Sequence, residues 1–356
     1  MDATQRPQSL RTRLRAQREI TELRGGYVRG RAELAQLRRG SRPIVAGPFV
    51  SEVGFECLYW IPLLRWLVER QGIKPERVVA FSRGGPASWY ADVADRYVDV
   101  FDHLAPAQLK ERGLASVAGT RNEKQFAVGT LDRELLERAG LKEGFALLHP
   151  SLMYRMFWSF WAGRRAIGRV LDHVEFAPFA PAQESADARA ILAELPEEYV
   201  AVKPYFSRCL PETPANHAFV AALLERLAAT HEVVLLDAGA DLDEHSLHVP
   251  DLGRRVHDLG RHVPVRDNLE IQSAVVRHSS ALYTTYGGFA HLGPFLGAPT
   301  FAFFSDASFN PAHLDVMSRA VTALRKRTGA GFVLGHVDDL ALVDRLARGT
   351  LGQAAR

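Results

Sequence analysis

Cysteine is nearly absent from this chain: Cys57 and Cys209 are the only two in 356 residues. Neither belongs to a CxxC pair or to any metal-ligand spacing, which excludes a disulfide framework and a structural zinc site and points to a reducing compartment. Long apolar runs are missing as well. No segment approaches the roughly 18 uncharged apolar residues that cross a bilayer, and the N-terminal stretch lacks the apolar core of a signal peptide. A cytoplasmic protein is therefore expected. Lysine is scarce, with six among 44 basic residues, so a lysine in an apolar setting stands out. Repeats and low-complexity tracts are absent, and a length of 356 with 47% hydrophobic and 24% charged residues suits two globular domains.

The net charge of +3 is small but unevenly placed. The stretch RTRLRAQREITELRGGYVRGRAELAQLRRG crowds arginines before residue 41. Leu10, Leu14, Ala16, Ile20 and Leu23 fall near helical spacing with arginines between them, so the stretch reads as an amphipathic helix broken near Gly25 and Gly26. Residues 1–41 form a basic helical arm on this reading. It packs on the body, self-associates with a second copy, or docks on an anionic membrane at the inner face. Without interleaved aromatics it carries no nucleic-acid signature.

From Arg42 onward, short apolar runs alternate with helical patterns: RPIVAGPF, FECLYWIPLLRWLVER, RVVAFSRGG, a helical ASWYADVADRYVDVF, FALLHP, and an aromatic-rich helix SLMYRMFWSFWAGRRAIGRVL. The Pro- and Ala-rich text near residues 175–190 reads as a linker. A second alternation follows, through YVAVKPYFS, EVVLLDAG, ALYTTYGG and PTFAFFSD. The expected fold is α/β, with two doubly wound Rossmann-like domains (42–185 and 186–356) facing a central cleft. Ligands of such sheets sit beyond the C-terminal ends of the strands.

The polar residues at those strand ends are the candidates. Gly287, Gly288 and His291 follow ALYTTY, where bare backbone at a helix start offers N–H groups and partial positive charge to a phosphate or diphosphate. Lys203, Ser207 and Arg208 lie at the end of YVAVK and could neutralise a leaving diphosphate. Asp237, after EVVLL, could bind a ribose. In the first domain Glu52 and Glu56 flank the loop after RPIVAGPF, and a carboxylate beside Phe and Trp there could serve as general base. His149 is a reserve base, and Arg83 and Gly84 suit a hydroxyl-rich or anionic acceptor. Asp267 with Glu270 has the form of a capping box, and Asn310 before Pro311 that of an N-cap with proline at N1. The acidic triplet at Asp241–Asp243 reads as solvated rather than metal-binding.

The stretch TTYGGFAHLGPFLGAPTFAFF, continuing into SDASFNPAH, resembles the nucleotide-binding signature of GT-B glycosyltransferases of the lipopolysaccharide heptosyltransferase type. Gly288 and His291 match the signature Gly and His, while Tyr286 stands where that family carries an acid. SEVGFECLYWIP is similar to its glycine-acid loop, and VAVKPYFSR to the strand that opens its donor domain. The resemblance implies a metal-independent, cofactor-free sugar transfer from a nucleotide-diphosphate sugar to a hydroxyl acceptor such as a glycan or lipid-linked sugar, in cell-surface polysaccharide synthesis. Either Glu52 or Glu56 would be the base. A nucleotide-sugar epimerase of the same fold and a non-catalytic partner subunit are the alternatives.

Overall fold

The runs IVA at Ile44–Ala46 and VVAFS at Val78–Ser82 are buried at every residue, as central strands of a parallel sheet covered on both faces must be. The computed structural model describes residues 10–109, 111–112, 125–181, 184–236, 255–260 and 263–339. The chain opens with helix α1 (Leu10–Arg39). Strands β1 (Ile44–Ala46), β2 (Val78–Ser82), β3 (Arg96–Asp99) and β4 (Ala146–Leu148) form a parallel sheet in the order β3-β2-β1-β4. Helices α2 (Ile61–Glu69), α3 (Thr130–Arg138) and α4 (Ser151–Trp161) accompany it.

The second sheet contains β5 (Tyr199–Lys203), β6 (Glu232–Leu235), β7 (Val256–Asp258), β8 (Leu282–Thr285), β9 (Thr300–Phe304) and β10 (Phe332–His336). Its helices are α5 (Ala186–Glu194), α6 (Pro214–Ala228), α7 (Asn268–His278), α8 (Gly288–Phe295) and α9 (Pro311–Thr328). The strands are parallel in the order β10-β9-β8-β5-β6-β7. The order reverses between β5 and β8, and in the first sheet between β1 and β4. Those two reversals are the topological switch points, where a doubly wound sheet opens a crevice at its C-terminal edge.

Three expectations are corrected. Helix α1 is not broken at Gly25 and Gly26. Instead, Gly26 and Gly30 share one face and let α1 lie on α4. A Cβ on Gly26 would be 3.4 Å from the Arg155 carbonyl oxygen, and one on Gly30 only 2.6 Å from Met156 Cγ. Leu34 and Leu37 continue that face into the core, and Arg155 Nη2 meets Glu33 at 2.6 Å. Residues 26–37 thus belong to the body.

Second, ASWYADVADRYVDVF holds only one helical turn, Ala87–Tyr90, before turning into β3. Arg96–Asp99 gain ladder bonds to Val79–Ser82, which outweighs the helical spacing of the preceding residues. Third, the aromatic helix stops at Trp161. Gly163, at φ 66°, places its amide on Phe160 O, and Arg164 N reaches Ser159 O, the paired bonds of a Schellman ending.

The proline-rich connection is packed tightly. Phe179 stacks between Trp89 of the first unit and Phe295 of the second, with ring centroids at 5.5 and 5.1 Å, and its amide bonds to Phe295 O at 2.8 Å. One cluster of buried apolar side chains therefore runs from Ile44 through Phe179 to Leu324. At the rim, Arg266 makes two 2.9 Å bonds to the Asp102 carboxylate across the junction. Among the described residues no helix is long and apolar enough to cross a membrane.

Candidate active site at the domain junction

The loop after β1 leads into a helix that begins at Val53 and is wound as a π turn from Glu56 to Trp60. Pro62, lacking an N–H, cannot make the ordinary bond back to residue 58, and the Ile61 amide bonds to Glu56 O, five residues back. Glu56, the first residue of this turn, has zero exposure in a helix buried on every side from Gly54 to Arg65. Its Oε1 accepts hydrogen bonds from Ser82 Oγ, at the end of β2, and from Tyr90 OH. Oε2 is buried without a partner. Burial raises the pKa of Glu56 from 4.5 to about 7, against the opposing pull of the Arg83 guanidinium and the two hydroxyl hydrogen bonds. Arg83 Nη2 donates to Ser51 O at 2.6 Å and so ties the β1 and β2 loops together. Tyr154 OH and Ser51 Oγ meet at 2.7 Å.

Glu52 lies four residues before Glu56 and is exposed. Its backbone is extended and precedes the helix without a side-chain cap bond. The two acids therefore have different surroundings: one faces solvent at the loop tip, the other sits beneath it. His149 is placed behind the loop. Its Nδ1 accepts from the Ser151 amide at 3.2 Å, and its Nε2 stands 3.3 Å from Asp132 Oδ2, both side chains buried. Asp132 Oδ1 in turn accepts from Gln125, whose amide also bonds to Pro48 O and Val50 N. His149 braces the β1 loop at the first switch point.

In the second unit, α8 begins on bare backbone at Gly287 and Gly288, immediately after β8. The neighbours that this lack of side chain admits are protein atoms. A Cβ on Gly287 would be 1.9 Å from Tyr205 OH, and one on Gly288 would be 3.1 Å from Val53 Cβ and 3.2 Å from Gly54 N. His291 is 7% exposed, and neither ring nitrogen has a hydrogen-bond partner. Burial lowers its pKa to about 4, so the ring is neutral. It packs edge-on against Tyr286 at 5.5 Å, and the Tyr286 hydroxyl is also buried without a partner.

Lys203 ends β5 on the other side of the second switch point. Its Nζ donates to Leu236 O at 2.7 Å and to Gln272 Oε1 at 2.8 Å, and lies 4.6 Å from the Phe289 ring centroid beneath α8. Arg208 is exposed on the following turn, and Ser207 Oγ accepts from the Cys209 amide at 3.2 Å. Asp237 and Asp241–Asp243 lie outside the described residues.

Gly84 sits at the junction. Its carbonyl oxygen accepts from the Leu269 and Glu270 amides at 2.8 and 3.0 Å, and its φ of 82° puts it where glycine is favoured. That carbonyl replaces the expected Asp267/Glu270 capping box. The Asp267 side chain makes no cap bond and pairs with Arg266, while Glu270 Oε1 accepts from the Ser185 amide. Asn310 does cap α9, accepting from Ala312 N at 3.0 Å, with Pro311 at N1.

The structure thus brings Gly54, near Glu52 and Glu56, against Gly288 and His291, and flanks the second switch point with Lys203. Arg208 is exposed, and His149 lies behind the β1 loop rather than beside Gly54. Ser82, Tyr90 and Tyr205 line the candidate site and were not marked by sequence spacing. Tyr286 lies within the motif itself, whereas Ser82 and Tyr90 reach Glu56 from 26 and 34 residues away. Among the described residues, no group of three or more His, Cys, Asp or Glu is gathered as a metal cluster.

No protein-family model and no curated protein sequence matches the chain. Among solved structures, it is similar over 89% of its length to all of E. coli ADP-heptose lipopolysaccharide heptosyltransferase II, with 14% identity and a TM-score of 0.49. It is similar over 88% of its length to 99% of E. coli heptosyltransferase WaaC solved with ADP, at 15% identity and a TM-score of 0.41. A glycosyl transferase family 9 protein from Veillonella parvula matches over 86% of this chain and 89% of its own, at 13% identity and a TM-score of 0.44.

Proposed function

We propose that this chain is a glycosyltransferase that moves a sugar from a nucleotide-diphosphate sugar to a hydroxyl acceptor. The observation that carries the reading is the meeting of two switch-point loops: the β1 loop with its acids packs against the glycine start of α8 at Gly54 and Gly288. Doubly wound sheets bind ligands at those edges. Here two such edges are opposed, as a reaction between two bound substrates requires.

The donor diphosphate lies at the start of α8 once Tyr205 and the β1 loop move aside, with Lys203, Ser207 and Arg208 as its polar surroundings and His291 as a neutral hydrogen-bonding group. The acceptor lies on the first unit beside Arg83. Its oxygen attacks the anomeric carbon, the bond from that carbon to the diphosphate oxygen breaks, and the hydroxyl proton passes to a carboxylate. Glu52 is the base in this reading, because it is exposed at the loop tip, whereas Glu56 holds Ser82 and Tyr90 in place. The nucleoside diphosphate leaves without a metal, its charge met by fixed dipoles and cations.

The test is a thermal-shift screen with UDP-, GDP-, ADP- and TDP-sugars, followed by turnover with and without EDTA. One donor should stabilise the chain, and Lys203→Ala and Gly288→Val should remove that stabilisation. Glu52→Gln should lower kcat by about a hundredfold or more with little change in KM. If no nucleotide-sugar stabilises the chain, the transferase reading fails. Isomerisation of donor without acceptor would identify an epimerase instead, and loss of turnover in EDTA would overturn the metal-free step.

A further inference from the structure

Away from the strand-end loops, the seam between α1 and α2 holds a half-enclosed cavity of about 330 Å³. Its floor combines apolar Leu34, Trp66 and Leu67 with polar Gln71 and His173. Leu34 and Leu67 are buried there, and Trp66 packs on the His173 ring with centroids 5.1 Å apart. Tyr27 forms the back wall, with its hydroxyl 3.4 Å from His173 Nε2 and the Arg169 guanidinium 3.6 Å above its ring. Buried as it is, His173 has an Nδ1 that makes no well-formed hydrogen bond.

The rim is cationic. Arg31 and Arg38 both line the cavity and are exposed. Seven residues apart on α1, they lie on one helix face roughly 10 Å from each other along the axis, close enough for both guanidinium forks to converge on one anion. Arg38 Nη1 is already oriented by Gln71 Oε1 at 3.3 Å. Asp172 is the one acid in the lining. The field of this part of the helix is positive too, since residues 25–39 carry Arg29, Arg31, Arg38 and Arg39 against Glu33 alone.

We propose that this cavity is a second ligand site, for an organic phosphate monoester whose head sits between Arg31 and Arg38 and whose apolar body rests on Leu34, Leu67 and Trp66. Guanidinium forks match phosphate oxygens in geometry and charge. The Leu34, Leu67 and Trp66 part of the floor offers such a head no polar partner but suits a ring or a short hydrocarbon. A volume of about 330 Å³ is at the small end of ligand pockets, which fits one ring or one short chain beside the phosphate. The ligand is either a soluble phosphomonoester or the head of a phosphomonoester lipid, and both use the same contacts. The site stands independently of the glycosyltransferase reading.

The experiment uses the full chain. Phenyl phosphate and inorganic phosphate are titrated by calorimetry, and sedimentation is measured with vesicles containing phosphatidic acid or, at matched charge, phosphatidylserine. Phenyl phosphate should bind, inorganic phosphate more weakly, and a preference for phosphatidic acid vesicles would identify the lipid source. Arg31→Gln with Arg38→Gln, both exposed positions, should weaken phenyl phosphate binding about tenfold or more, and Ala35→Phe should fill the cavity and abolish it. Nucleotide-sugar binding at the junction should be unchanged in both variants, which separates failure of this site from failure of the transferase reading. The proposal is overturned if phenyl phosphate does not bind and the two vesicle types sediment the chain equally, or if binding survives undiminished in the double variant. Equal binding of inorganic and phenyl phosphate overturns the apolar half.

Discussion

Gly54 and Gly288 face each other across the junction: a Cβ on Gly54 would lie 3.4 Å from Gly288 Cα, and one on Gly288 would lie 3.2 Å from Gly54 N. Two glycines from different units thus create one close backbone approach, and His291 fills the space beside it, with Nδ1 2.9 Å from the missing Gly54 Cβ. Gly54→Ala should force His291 to shift and destabilise the chain by about 1–3 kcal/mol. Because Gly54 and Gly288 share this contact, the effects of Gly54→Ala and Gly288→Ala should not add. Urea unfolding of both single variants and the double variant checks this, and neutral, additive substitutions would contradict it.

Glu56 and His291 should give stability opposite slopes with pH. The raised pKa of Glu56, about 7 against 4.5, means that the folded chain keeps a proton the unfolded chain releases. That contribution is complete below pH 4.5 and is lost as pH rises through 7, a change on the order of 3 kcal/mol. His291, lowered from 6.5 to about 4, contributes fully above pH 6.5 and loses its share as pH falls toward 4. Glu56→Gln removes the first slope and keeps the second. The variant should match the wild type near pH 4 and exceed it at pH 8, as read by Tm. A wild-type decline from pH 5 to 8 in the variant would reject this origin.

Phe179 holds the two units together through its sandwich with Trp89 and Phe295. Phe179→Ala should cost about 3–5 kcal/mol, and calorimetry should show the single unfolding transition broadening or dividing as the units lose their shared core. Phe179→Leu should be milder. A sharp transition at unchanged Tm in the alanine variant would show that the sandwich contributes nothing.

Gly30→Val should lift α1 from α4, because Met156 Cγ stands 2.6 Å from the first added carbon. Limited proteolysis should then cut between Arg39 and Pro43 and leave a resistant fragment from β1 onward. Resistance equal to that of the wild type would mean that the helices can adjust around the added methyls.

The strands were legible because a parallel sheet needs continuous apolar runs, and YVAVK and ALYTTY supply them. Gly288 and His291 were legible because their motif is local. Gly25 and Gly26 look like a break in the sequence because spacing cannot distinguish a glycine that ends a helix from one that lets another helix approach; only the position of Met156 and Arg155 does so. The capping box at Asp267 and Glu270 satisfied every local rule, yet Gly84 O from the other unit took those amides first. The setting of Glu56 was beyond reach for a similar reason. Its hydroxyl partners come from β2 and the turn after it, and its burial comes from packing on every side of the helix, which no local spacing reports for a carboxylate.

The carbonyl of Gly84 has one further consequence. An N-cap normally travels with its own helix, but the group that caps α7 belongs to the opposite unit, so parting the units also strips the helix of its first two bonded amides. Gln272, one turn further along α7, holds the Lys203 ammonium. Separation at the rim is thereby felt at the proposed phosphate cation through a fraying helix end, and hydrogen exchange at the Leu269 and Glu270 amides would report how often the junction opens.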